Sequence, residues 1–427
     1  NNFDIWIASD RAYSIAENIA KQLINSKVIN ETIISNKIKT INDHFGIIFI
    51  SKNWFFASVD ACRSYPIYWH EKKKNILLSN KANIIRNITK SEINDNQRLA
   101  FQMSGYTIGE NTLWHDIYNL NAGEFLFCHN KKGVHKYKYF SYKPWIKTNI
   151  EHSRLKRMLE LEIKKILKNL ILKAAGRTIV VPLSAGLDSR LIASGLKYMS
   201  YKKVKCFSYG LKNNFESKAS KKISQVLGFE WKFIEINYSN ARDYFQSIEY
   251  KNIFSACNDG CATPGMQDAY AIKKLIEDKF LSKDDMIVNG NSGDFISGGH
   301  LPINSNKWNK QTTKENIIDI IFNDHYIKHY SLWGGLLCKK NKNIIKKEIQ
   351  KHLLSFKTSE DSEILPQGII ELLEYENRQS KYVINFQRIY DFYQLSWSLP
   401  LWDKSFINFW SKVPPEDKDR KSTRLNS

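Results

Sequence analysis

Residues 179–199 read IVVPLSAGLDSRLIASGLKYM. A run of β-branched residues leads into a turn of small residues, and apolar residues at helical spacing follow. That order predicts a buried strand, a tight loop and a helix start. Such a junction is an anion site: small residues let the backbone wrap a phosphate, and the unpaired amides of the helix's first turn favour negative charge. Ser184 and Ser189 add hydroxyls, and Asp188 can carry a magnesium ion against the phosphates. An ordinary strand–turn–helix connection with Ser and Asp as caps fits the same residues. The Gly-Lys-Ser/Thr ending of a Walker-type loop is absent.

Downstream, KVKCFSYG, ESKASKKISQVLG and FEWKFIEI read as strand, helix and strand. With the opening pair they predict a parallel, doubly wound sheet whose ligands sit at the carboxyl ends of its strands. A second strand-to-loop passage, DMIVNGNSGDFISGGH, spans residues 285–300 and carries Asp294 among Gly290, Gly293, Gly298 and Gly299. Two such loops can converge on one ligand, and two carboxylates there suit magnesium and polyphosphate. Each loop alone also fits a plain capped turn.

Upstream, residues 151–176 repeat Leu or Ile every three to four positions and predict a long helix. Before it, residues 1–145 alternate short apolar runs (FGIIFIS, WFFASVD, NILLSN, GEFLFCH) with turn signals, a β-rich pattern preceded by the helical AYSIAENIAKQLI. Beyond residue 300 the pattern is mostly helical.

The chain of 427 residues is long enough for two or three domains, and its 42% apolar and 25% charged residues are those of a globular protein. No apolar run approaches the length of a membrane span, and no signal peptide is recognisable, so the expected location is the cytoplasm. Six dispersed cysteines lack zinc-finger spacing and read as reduced thiols. The net charge of +21 favours anionic partners or solvated basic helix faces; peripheral membrane contact is compatible with it. Nothing in the sequence matches a nucleic-acid-binding signature.

The loop at 184–189 resembles the pyrophosphatase loop of the asparagine synthetase family, and NGNSGDFISGG is similar to that family's second signature. FSYGLKNNFESKASKKISQVLGF (207–229) and LPLWDKSFINFWSKVPPEDK (399–418) are similar to its intervening strand and helix and to its late helix entry. NDHFGIIFI, WFFASVDACRSYPIYW and LLSNKANII resemble the rear of its glutaminase-type domain. The resemblance implies an α/β protein in two parts. Residues 1–148 would be a degenerate or truncated, β-rich glutaminase-like (Ntn-type) domain. Residues 149–427 would be a doubly wound ATP-pyrophosphatase domain of the adenine-nucleotide hydrolase-like type, with a helical C-terminal part.

It further implies a ligase that binds ATP and Mg2+, adenylates a carboxylate with release of pyrophosphate, and forms an amide. Leu183, Tyr209 and Gly290 would line the adenosine site, Ser184, Gly186 and Ser189 would grip pyrophosphate, and Asp188 and Asp294 would hold magnesium. The chain departs from the family pattern at four points. Residue 1 is Asn rather than the glutaminase's cysteine, Asn291 stands where the family has a catalytic Glu, Ala185 replaces a loop glycine, and the late Lys is missing, which suggests truncation. His300 is a candidate base by proximity. Nitrogen would come as ammonia, from a separate glutaminase, or from an amine of the substrate itself. The acceptor would be a small-molecule or sugar-linked carboxylate, such as a uronic acid of a surface polysaccharide. A lactam or macrolactam synthetase and a catalytically silent nucleotide-binding or scaffold protein are the alternatives; a homodimer is compatible with all of them.

Overall fold

The computed structural model describes residues 3–24, 26, 28–73, 75–129, 133–146, 150–302, 308, 317–356 and 365–418. They form two compact units. The first comprises residues 1–147, 259–263 and 301–384, and the second residues 148–258, 264–300 and 385–427.

The first unit is built on antiparallel strands. β1 (Asp4–Ala8), β2 (Gly46–Ile50), β3 (Trp54–Val59), β4 (Tyr68–Lys72), β5 (Asn75–Ser79), β6 (Tyr118–Asn119), β7 (Glu124–His129) and β8 (His135–Lys138) make two sheets, ordered β1-β2-β3-β7-β8 and β5-β4-β6. The apolar runs at 45–51, 54–60, 75–80 and 123–129 become β2, β3, β5 and β7, as their patterning predicts. Gly46–Phe49 is buried throughout, which is why that run is continuous rather than alternating. Phe49 pairs across the sheet with Phe56, and their rings stack at 5.6 Å between centroids.

Residues 259–263 and the described residues of 301–384, which the sequence expectation assigns to the second domain, fold with this first unit instead. The reason is apolar packing. Helices Ile317–His329, Lys339–Leu354 and Pro366–Leu373 share one core with helix Asp95–Ser104, among them Met103, Ile321, Ile349 and Leu373. A further π-helical turn runs over Glu374–Val383. Segment 259–263 is held by charge. Arg63, 1% exposed and left-handed at φ 59°, directs its guanidinium to Asp259 at 3.5 Å and to the Tyr68 hydroxyl at 2.9 Å.

The second unit contains the predicted parallel sheet. β9 (Ile179–Pro182), β10 (Val204–Gly210), β11 (Glu230–Glu235), β12 (Met286–Val288) and β13 (Ser396–Ser398) lie in the order β11-β10-β9-β12-β13, every pair parallel. Helix His152–Ala174 precedes β9; helices Leu187–Tyr198 and Phe215–Leu227 connect β9 to β10 and β10 to β11. Ile179, Val180 and Val181 are fully buried, as a central parallel strand requires. The chain steps outward from β9 to β11 and then returns to the other side of β9 as β12. That reversal places the topological switch point between the carboxyl ends of β9 and β12. No helix among the described residues is long and apolar enough to cross a membrane.

Replacing Arg63 by Met leaves the buried Asp259 carboxylate without its guanidinium. The expected loss is about 3–5 kcal/mol of stability, read as a lowered urea midpoint.

Candidate active site

Both sequence-predicted loops leave the sheet at the switch point. The first follows β9. Leu183 is buried and donates its amide to Phe207 O at 2.8 Å, which extends the β9–β10 pairing by one residue. Ser184–Gly186 then turn, and Gly186 caps helix Leu187–Tyr198 in an extended conformation. The hydroxyls satisfy the turn. Ser184 N donates to Ser189 Oγ at 3.1 Å, the two serine oxygens lie 3.0 Å apart, and Gly186 N donates to Ser184 Oγ at 3.1 Å. Ala185 N donates to the Glu216 carboxylate at 2.5 Å. Glu216 lies in the first turn of helix Phe215–Leu227, so this amide is already aimed at an anion. Ala185 is not among the residues with positive φ, so its methyl group replaces a glycine without left-handed strain.

The second loop follows β12 and packs directly on the first. Asp294 N donates to Asp188 Oδ2 at 2.9 Å. The glycines make this approach possible. A Cβ on Gly290 would stand 2.7 Å from both Asp188 C and Ser189 N, and one on Gly293 would stand 2.5 Å from Asp188 Cγ. Between them Ser292 takes the left-handed conformation, φ 69° and ψ 8°, before the short helix Gly293–Ile296. Asp294 Oδ1 accepts from Phe295 N at 2.9 Å, and Oδ2 meets His300 Nε2 at 2.8 Å. The structure thus brings together Ser184, Gly186, Asp188, Ser189, Gly290, Asp294 and His300. Asn291 lies in the same loop, half-buried.

Tyr209 stands near the carboxyl end of β10, but its hydroxyl is committed. It donates to Asp268 Oδ1 at 3.0 Å, while Tyr390 donates to Oδ2 at 2.5 Å. Burial pushes the Asp268 carboxyl up, and the two phenol hydrogen bonds pull it partly back. Burial first, then the charge of Asp268, pushes the Tyr209 phenol up. Asn289 donates to Tyr390 Oη at 3.0 Å and to Gln387 Oε1 at 3.1 Å, tying the end of β12 to this network. What Tyr209 offers a ligand is therefore its ring.

A cavity of about 510 Å3 opens beside Asp188, with Leu187, Leu191, Leu401 and Trp410 on its apolar wall and Arg190 at its side. Glu216 and Asp268 escape the motif reading. Glu216 carries a legible signal, an acid in the first turn after a strand end. Asp268, in GMQDAYAI, carries none.

Ala at position 290 must push the second loop off the main chain of Asp188 and Ser189. Gly290→Ala is expected to cost about 1–3 kcal/mol in unfolding free energy, measurable by chemical denaturation. Gly334→Ala, where nothing lies within 4 Å of the added Cβ, serves as the neutral control.

Among solved structures, the chain is similar to an NH3-dependent NAD synthetase from Campylobacter jejuni, at 16% identity, with 50% of this chain and 99% of that one covered and a TM-score of 0.26. It is similar to a glutamine-dependent NAD+ synthetase from Acinetobacter baumannii at 9% identity, 89% and 95% coverage and a TM-score of 0.22. A glutamine phosphoribosylpyrophosphate amidotransferase from B. subtilis matches at 9% identity, 67% and 61% coverage and a TM-score of 0.23. No curated protein matches the sequence. The family model for asparagine synthase matches residues 173–425, which include the whole parallel sheet and both switch-point loops. The chain belongs to the asparagine synthase family.

Proposed function

We infer that this protein is an ATP-dependent carbon–nitrogen ligase that activates a carboxylate as its adenylate, releases pyrophosphate and transfers nitrogen to form an amide. The observation that carries this reading is the closure of two phosphate-type loops on each other at the switch point, through the hydrogen bond from Asp294 N to Asp188 Oδ2. A single such loop would be an anion site; two, each with a carboxylate, suit a nucleoside triphosphate with its cation.

The amides of Ser184, Ala185 and Gly186, now satisfied by hydroxyls and by Glu216, are the donors for the departing pyrophosphate. Preorganised donors of this kind stabilise the charge that develops as the phosphoanhydride breaks. The adenosine lies against Leu183, the ring of Tyr209 and Gly290. Asp188 and Asp294 fit a magnesium ion, since both are acidic, half-buried and on adjoining loops. Magnesium bound there would neutralise phosphate charge. A cation held by Asp294 would compete with the His300 contact to that carboxylate. Asn291 cannot take a proton at neutral pH, and His300 is the group in this loop assigned to take one from the attacking nitrogen.

The acceptor is a carboxylate on a small molecule or a sugar, and the cavity beside Asp188 is apolar enough to take a hydrocarbon or ring portion of it. Nitrogen arrives as ammonia, from solution or from a separate glutaminase. The lactam synthetase reading shares every step but the last, with an amine of the substrate as nucleophile.

Pyrophosphate exchange into ATP, driven by a panel of carboxylates with magnesium, tests the reading. Exchange is expected with at least one acid, and Asp188→Asn is expected to lower it by about 100-fold or more with the fold intact by circular dichroism. A wild-type protein without exchange, or one whose Asp188→Asn variant matches it, makes the chain a silent nucleotide-binding protein. Product formation then separates the two ligase chemistries: amide that appears only with added ammonia marks transfer, and product without it marks cyclisation. His300→Gln is expected to flatten the acid limb of the pH–rate profile of amide formation and to leave exchange within about threefold.

A further inference from the structure

We propose that the first unit holds a zinc-type divalent metal between His44, Asp60 and Cys62. The three lie at the ends of neighbouring strands: His44 two residues before β2, and Asp60 and Cys62 just after β3. Their ligand atoms all fall within 4.8 Å of one another, and they are the one such group of three among the described residues. Cys62 Sγ lies 3.6 Å from His44 Nδ1 and 3.1 Å from Asp60 Oδ1. Tetrahedral zinc with bonds of about 2.3 Å to sulfur and about 2.0 Å to nitrogen or oxygen sets its ligands about 3.3–3.5 Å apart. The observed spacings bracket that value, so the ion fits with side-chain shifts of a few tenths of an ångström.

The surroundings are those of a built site. Asp60 is 3% exposed, Cys62 1% and His44 8%. The Asp60 carboxylate is fixed by amides: Oδ2 accepts from Phe45 N at 2.8 Å, and Oδ1 from Cys62 N at 2.7 Å and Ser64 N at 3.3 Å, with the Ser64 hydroxyl also donating to Oδ2. Such outer bonds hold a metal's carboxylate ligand in place. The mixed thiolate, imidazole and carboxylate set suits zinc over magnesium or calcium. A cysteine nucleophile is a poorer account, because Cys62 is 1% exposed and its sulfur is closed to a substrate.

Binding exchanges one bond for three. The Cys62 S–H breaks, its proton leaves to solvent, and the thiolate, His44 Nδ1 and Asp60 Oδ1 each donate a lone pair to the ion. No oxidant or reductant is involved, and uptake becomes weaker at low pH.

The test uses the whole chain stripped with a chelator and titrated with Co2+, then with Zn2+ in weakly buffered solution. The expected result is one Co2+ per chain with a thiolate-to-cobalt charge-transfer band, its displacement by one Zn2+, and a rise in Tm on the order of 5 °C with Zn2+. Uptake of Zn2+ by the stripped protein should release about one proton. The band should survive Cys338→Ser, which removes the exposed cysteine, and vanish in Cys62→Ser and His44→Gln. Should Cys62→Ser fail to fold by circular dichroism, His44→Gln, which keeps the thiol, carries the test. Substoichiometric cobalt, or a band unchanged in folded Cys62→Ser or His44→Gln, overturns the site.

Discussion

Gly290 and Gly293 let two loops approach to backbone contact, and the organisation of the second unit follows from that approach. With any larger residue at 290, the main chain after β12 could not reach the start of helix Leu187–Tyr198. Asp294 N would lose Asp188 Oδ2, and the two acids would belong to separate turns. The sheet order does the rest. Because β9 is flanked by β10 on one side and β12 on the other, the crevice that opens where the chain reverses is bounded by these two loops.

Electrostatics at this crevice is arranged by acids on a strongly basic chain. Glu216 occupies an amide of the first loop, Asp294 pairs with His300, and Asp268 sits buried under two phenols. The Glu216 carboxylate satisfies an amide that an entering polyphosphate would take over, whereas Asp268 keeps its two phenols. Ligand entry is then an exchange of hydrogen bonds rather than a gain of new ones. Excess Lys and Arg elsewhere supply a long-range field that favours such an anion.

The first unit solves a different problem, the holding of distant segments with polar groups inside a core. Arg63 reaches Asp259 and Tyr68, and Lys381 donates to the carbonyls of Thr107 and Gly109. Burial pulls the Lys381 ammonium down to about 8. A few residues from Arg63, Asp60 organises the turn that brings Cys62 to His44. Polar anchors of this sort contribute little net stability when made but are costly to break, and they fix which segments meet.

The amino-acid sequence by itself determined the strands β9 to β12, the two helices that join β9 to β10 and β10 to β11, and the two loops, because strand and helix periodicity and small-residue turns are local properties. The signature residues Ser184 to Ser189 and Gly290 to Asp294 were legible for the same reason. Tertiary structure decided the rest. β13 is a three-residue strand recognisable only by its partner β12, and helices 317–373 read as part of the second domain until their apolar faces find Met103 and its neighbours. Asp268 and Glu216 acquire roles only from the hydroxyls and amides that long-range packing delivers to them. Likewise, His44 and Cys62 are eighteen residues apart, a spacing no metal motif marks. Antiparallel pairing of β2 with β3 brings their ends together. Local chemistry is written along the chain, whereas the distance between two side chains far apart in sequence depends on register and packing.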